Sequence, residues 1–157
     1  DGRDYNSASV VNDQSGRVEI VAYEHTLVAP EKSQGAIRKL LERHGAVNVA
    51  FASSSEPTRM EGFKATVMLE HRPYQVRVVV PVKAAKNDRA QDQEVRRVWR
   101  VLYHNMKATF EAADSGVIDI RELLLPFLVT EEGRTVGQVL LKDMPKAIEA
   151  PKRAFLE

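Results

Sequence analysis

Apolar residues recur along this chain at two spacings, and the change comes near residue 83. Before it, most apolar runs are short and rich in Val and Ile, or alternate with polar residues, as strands do. RVEIVAY (17–23) predicts a first strand and AVNVAFA (46–52) a second, with SSSEPTR as the loop that follows. Between them, APEKSQGAIRKLLERHGA (29–46) predicts a helix. Pro30 suits its first position, Ile37, Leu40 and Leu41 form a stripe, and Gly45 suits a left-handed C-terminal cap. Gly35 inside it costs roughly 1 kcal/mol relative to alanine.

GFKATVMLE (62–70) and YQVRVVVPV (74–82) predict a hairpin. Pairing Leu69 with Tyr74 puts Phe63, Ala65, Val67, Leu69, Tyr74, Val76, Val78 and Val80 on one face. Lys64, Thr66, Glu70, Gln75 and Arg77 fall on the other, with Met68 and Val79 among them. The turn is HR or EHRP, and Pro73 argues against a long central ladder there.

Past the polar connector KAAKNDRAQDQ (83–93), the period becomes helical. A long helix starts at Asn87 or Asp88 and ends near Gly116. Advancing 100° per residue places Val95, Val98, Trp99, Leu102, Met106, Phe110 and Ala113 in one arc of roughly 120°, the width of a core-facing stripe. Arg96, Arg100 and Lys107 lie just beyond its edge, joined by Arg89 if the helix reaches back that far. Arg97 and His104 lie about 60–80° further round. Asp119 with Glu122 predicts a capping box opening a short helix that ends near Pro126, EEGR (131–134) a turn, and Thr135 with Gln138 a second capping box opening VGQVLLKDM. The tail APKRAFLE carries no clear period. Strands ahead of a helical half predict an α+β fold: a small antiparallel sheet of about four strands covered by helices on one face. Residues 1–16 read as a flexible lead-in and 17–157 as one domain, with the sheet and one helix over 17–82 and helices over 87–150.

Composition narrows the chemistry. The 157 residues are 43% apolar and contain no cysteine, which removes disulfides, cysteine-ligated metals and thiol catalysis. No apolar run is long enough to span a membrane. The net charge is only +1, so affinity for nucleic acid requires local segregation of charge. The four histidines have no metal-ligand spacing, and no phosphate-binding glycine loop occurs. Carboxylates gather at helix starts and turns, where capping accounts for them, and the strands offer only Glu19 and Glu70 to a metal-dependent nuclease. Arg97 and His104 fit the R-x(4–6)-H spacing of HEPN ribonucleases, but those are helical bundles and the first half here reads as strands. These features predict no catalytic constellation, no metal and no cofactor.

The basic flank of the long helix admits two readings. Arginines beside an apolar stripe lay their stems on it and keep their heads in water, and Trp99 at mid-stripe is then core. Alternatively Arg89, Arg96, Arg97, Arg100 and Lys107 grip phosphates, with Lys64 and Arg77 extending the track and Tyr103 stacking on a base. Tyr23, Phe51 and Tyr74 are further stacking candidates.

RRVWRVLYHNMKATFEAADSGVIDIRELLLPFLVTEEGRTVGQVL resembles a family of small phage- and prophage-encoded proteins of no assigned activity, which share the form RxxWRxL…KAxxEA…GRTVG. The matching residues are Arg96, Trp99, Arg100, Leu102, Lys107, Ala108, Glu111, Ala112, Gly116 and Gly133–Arg134–Thr135–Val136–Gly137. The likeness extends over roughly residues 30–142; the short connector 83–93 and the tail KAIEAPKRAFLE depart from it. It implies a phage-type setting in the cytoplasm of a bacterial host, in which small basic-flanked α+β proteins often serve DNA replication, annealing or recombination. The expected function is therefore non-enzymatic nucleic-acid binding, DNA before RNA. The alternative is a protein-interaction or self-assembly module, a homo-oligomer included, that uses the basic flank and the apolar residues 123–129.

Overall fold

A computed structural model describes the backbone of residues 9–12 and 18–147 and the side chains of residues 22–144. The element order is β1 (Ser9–Asn12), β2 (Val18–Val21), α1 (Pro30–Arg43), β3 (Val47–Ser54), β4 (Met60–Leu69), β5 (Arg72–Pro81), α2 (Asp88–Asp114), α3 (Ile120–Leu124), a 3-10 turn (Leu125–Phe127) and α4 (Val136–Ala147). The architecture is α+β. The main sheet has three strands in the order β3-β4-β5, not about four. The strand expected over 17–23 forms as β2, but its partner is β1, in a separate antiparallel pair with Ser9 opposite Val21. Residues 9–12 of the expected flexible lead-in are thus a strand. The rest of that lead-in and the tail APKRAFLE lie outside the described residues.

Both long helices start and stop on the expected signals. Pro30 opens α1, and Gly45 takes φ 81° just past its end. Asn87 caps α2, its side-chain oxygen accepting from Ala90 N at 2.9 Å. The Thr135–Gln138 box closes in both directions: Gln138 N donates to Thr135 Oγ1 at 3.2 Å and Thr135 N to Gln138 Oε1 at 3.0 Å.

The β4–β5 hairpin keeps the expected faces but not the expected register. Val67, not Leu69, stands opposite Tyr74, and Leu69 pairs with Arg72. The cause is the turn. Glu70 and His71 both adopt positive φ (50° and 64°), making a two-residue turn whose twist matches that of the strands. A slip of two residues preserves the inward and outward sets, so the hydrophobic pattern cannot distinguish the registers. Pro73 is accommodated because β5 is an edge strand of the three-stranded ladder.

The core lies between the sheet and the two long helices. Ile37, Leu40 and Leu41 from α1 and Val95, Val98, Trp99, Leu102, Met106 and Phe110 from α2 pack on Phe63, Ala65, Val67, Leu69, Val76 and Val78 of the sheet. Pro30 and Glu31 share a groove with Asp92 and Arg96, while His44 at the other end meets Asp114, so α1 and α2 run in the same direction. Leu124 closes the core below, and Val129 N donates to Gln75 O, laying residues 128–129 along the free edge of β5. The opposite sheet face, with Lys64, Met68, Gln75, Arg77 and Val79, carries no helix of the core.

At Gly62 the sheet is pinched: a Cβ there would stand 2.3 Å from Val78 O and 3.0 Å from Val79 Cα. Those atoms are backbone and cannot swing aside, so Gly62→Ala is expected to cost about 1–3 kcal/mol, read as a lowered urea midpoint with unchanged slope.

Candidate functional sites

The eight predicted binding residues do not form one surface. Arg97 donates from Nε and Nη2 to Glu94 Oε2 at 3.1 and 3.0 Å, one turn back on α2. Arg100 is buried, 9% exposed, with its guanidinium 5.1 Å from the centre of the Tyr103 ring, so the head is turned onto one face of that ring. Lys107 pairs with Glu111 at 3.7 Å. Lys64 and Arg77 are cross-strand partners on the uncovered sheet face, but Arg77 reaches off it, donating from Nη2 to Gly133 O at 2.6 Å. Arg89 and Lys64 are exposed, and Arg96 lines a groove at the start of the helices.

Of the other aromatic candidates, Phe51 and Tyr23 are also engaged. Phe51 meets Trp99 edge-on at 5.6 Å, and Tyr23 stacks on His104 at 4.8 Å with the rings 2° from parallel. Tyr74 is exposed near the hairpin turn. Arg97 and His104 therefore hold separate structural contacts, with Glu94 and with Tyr23.

Two clusters that the sequence did not announce are better built. The first is Glu61, 4% exposed on the core face of β4. Its Oε2 accepts from Trp99 Nε1 at 3.1 Å and its Oε1 from Arg59 Nε at 3.2 Å. The sequence pattern starts this strand at Gly62 and so misses Glu61; the strand begins at Met60, and the alternation Glu61-Phe63-Ala65-Val67 places Glu61 on the inward side. Around it, Pro30, Gln34, Ser53, Asp92 and Arg96 complete a polar groove of about 360 Å³. Its carboxylate is held by two donors and balanced by one arginine, an arrangement that anchors Trp99.

The second cluster lies at the far end of the same two helices. His44, just past the end of α1, stacks on Phe110 with centroids 4.2 Å apart. Its Nδ1 lies 2.8 Å from Leu40 O and its Nε2 lies 2.9 and 3.0 Å from the two oxygens of Asp114. Both ring nitrogens face acceptors, so neither is available as a base toward a substrate. Beside this pair, Leu41, Val67, Leu69 and Leu124 wall a cavity of about 500 Å³ with Asp114 and Asp119 on its lining.

Asp119 caps α3, accepting from Arg121 N at 2.8 Å, and its carboxylate also takes two side-chain bonds from Arg121, whose guanidinium reaches Glu70 as well. The Arg121 hydrogen bond, first of the side chain and then of the backbone, lowers the Asp119 pKa from 3.8 to about 2. Among the described residues, no group of histidines and carboxylates is arranged to hold a metal ion, and no helix is long and apolar enough to cross a membrane.

Trp99→Phe leaves the buried Glu61 carboxylate with Arg59 alone and is expected to cost about 1–3 kcal/mol, more than Glu61→Gln, which keeps an acceptor; urea unfolding followed by circular dichroism ranks the two. For Asp119 the folded pKa lies below the unfolded one, so its contact with Arg121 stabilises the fold above the ordinary carboxylate range and is lost as pH falls through about 2. A side-chain carboxyl titration by NMR should place its midpoint there, and Arg121→Ala, which removes the side-chain bonds but keeps the backbone donor, should raise it part of the way toward the ordinary carboxylate value. No protein-family model, curated protein or solved structure matches the chain.

Proposed function

We propose that this protein works by association, without catalysis, and that its first partner is a second copy of itself. The observation that carries this reading is the apolar stripe of α4. Gly137 seats the helix against Pro126, where a Cβ would stand 2.8 Å from the Pro126 carbonyl oxygen. The same stripe continues at helical spacing through Leu140, Leu141 and Met144, which are 52%, 67% and 44% exposed. A contiguous exposed apolar strip marks an interaction surface. A helical stripe is also self-complementary about a two-fold axis, which makes a symmetric pair the simplest way to cover it.

The uncovered sheet face adjoins that helix. Gln138 Oε1 lies 3.4 Å from Arg77 Nη2, and an apolar groove of about 330 Å³ runs over Ala52, Met60, Gly62 and Val79, bordered by the Lys64–Arg77 pair. The residues 123–129 contribute less than expected to such a surface. Leu124 is core, Phe127 and Leu128 pack on it, and Leu125 stays outside.

A second reading, nucleic-acid binding in a phage-type setting, is favoured by one observation. Lys83, Lys86 and Arg89 are all exposed and follow one another through the connector into α2, with Arg96 two turns further on. Asp88 and Asp92 interleave with them, so phosphate contacts there are few.

Sedimentation velocity over a range of concentrations should show the mass rising above that of one chain, and Leu141→Asp should hold it at one chain without altering the circular dichroism spectrum. A single-chain mass at every concentration overturns self-association. Fluorescence anisotropy with single-stranded DNA, duplex DNA and RNA tests the second reading. It requires affinity that falls with salt by a logarithmic slope of about 0.9 per duplex phosphate contacted and that is lost in Arg89→Glu/Arg96→Glu.

A further inference from the structure

We infer that the cavity at the C-terminal ends of α1 and α2 is a binding site for a small primary amine with a compact apolar body. The site is independent of the α4 surface. Its volume, about 500 Å³, falls within the roughly 300–1,000 Å³ of sites that enclose a small molecule. Part of its wall is apolar and close-packed: Leu41, Val67, Leu69, Phe110 and Leu124 belong to the core.

The charge on the lining selects the ligand. Asp114 and Asp119 carry the carboxylates of the wall, and among the described residues His44 is its one basic side chain and no lysine or arginine lines it. Arg121 turns to Asp119 and Glu70 instead. Asp119 already accepts one backbone and two side-chain bonds from Arg121. Asp114 differs: its two oxygens share the single donor His44 Nε2. A carboxylate has about four acceptor positions, so Asp114 retains capacity for an ammonium group entering from the cavity. The Phe110 ring, held by its stack on His44, offers an aromatic wall to the same cation. An anionic ligand would meet two carboxylates and is disfavoured.

The body of the ligand is limited by the walls. An unbranched charged chain would leave the Leu69–Leu124 side of the cavity unfilled. A single ring or short branched alkyl group on a one- or two-carbon spacer places its ammonium at Asp114 with its body against Leu124.

The test uses the full chain, labelled with nitrogen-15, titrated with phenethylamine, 2-phenylethanol and phenylacetate, three probes of one shape and different charge. Saturable amide shifts confined to residues around His44, Gly116 and Ile120 are expected with phenethylamine, with a Kd at least about tenfold below that of the alcohol and no saturation by phenylacetate. Asp114→Asn should raise the amine Kd about tenfold and leave the alcohol unchanged. Ile118→Lys, which puts a cation on the half-exposed rim, should reverse the preference toward phenylacetate, and it guards against an Asp114 variant that disturbs the helix end. Equal affinity for the three probes, shifts scattered outside the cavity, or an amine Kd indifferent to both substitutions each overturns the site.

Discussion

A tryptophan can be fully buried only if its indole N–H finds an acceptor, and in this fold that acceptor is a buried carboxylate. Trp99 has no exposed surface, and Glu61 meets its Nε1 at 3.1 Å. An apolar stripe alone is a poor ruler: hydrophobic burial is non-directional and would let α2 slide along the sheet at small cost. A hydrogen bond of fixed length between mid-helix and the second residue of β4 allows no such sliding. Once Trp99 is pinned, the 27 residues of α2 fix both ends of the molecule. Toward its N-terminus, Gln93 Nε2 donates to Glu24 O and Thr26 O, seating the loop that leads into α1. At its C-terminus, Asp114 reaches His44.

The same constraint explains what became of the cations of α2. A helix clamped along most of its length has little free flank. Arginines at the edge of its stripe lie over core side chains or within reach of a glutamate one turn away, as Arg100 does over Tyr103 and Arg97 beside Glu94. Positive residues in a sequence are therefore not yet a positive surface. Among the described residues, the cations that stay exposed include Lys83, Lys86 and Arg89 ahead of the clamp and Lys64 on the far face of the sheet.

The helices were legible because their signals are local. Pro30, Gly45, Asn87, Thr135 and Gln138 each act on backbone groups within four residues, and each is used as its chemistry suggests. The inward and outward faces of β4 and β5 were legible for a similar reason, since alternation follows from backbone geometry. Partner choice was not. Nothing in RVEIVAY states that it pairs with Ser9–Asn12 instead of joining the main sheet, because pairing is a long-range matter that alternation does not encode. The hairpin register was hidden for a narrower reason: two side chains without glycine's freedom, Glu70 and His71, occupy left-handed positions, and their sequence does not advertise it. Of the candidate sites, the cavity needed residues 41–46, 67–69 and 110–124 brought together, and no spacing along the chain could have joined them.

The two outer edges of the main sheet are both blunted. Residues 128–129 lie along β5, and Val129 N occupies the Gln75 carbonyl. On β3 the ladder is broken by an irregularity between Val47 and Ala50, Asn48 takes φ 55°, and Arg38 Nη1 reaches over from α1 to bond Val49 O at 3.0 Å. An unpaired strand edge is a template for further strands and hence for runaway aggregation. Here the template is withdrawn on one side by the chain's own later segment and on the other by an arginine that caps a carbonyl. Both devices reduce the unpaired backbone that a valine-rich sheet offers to a neighbour edge to edge.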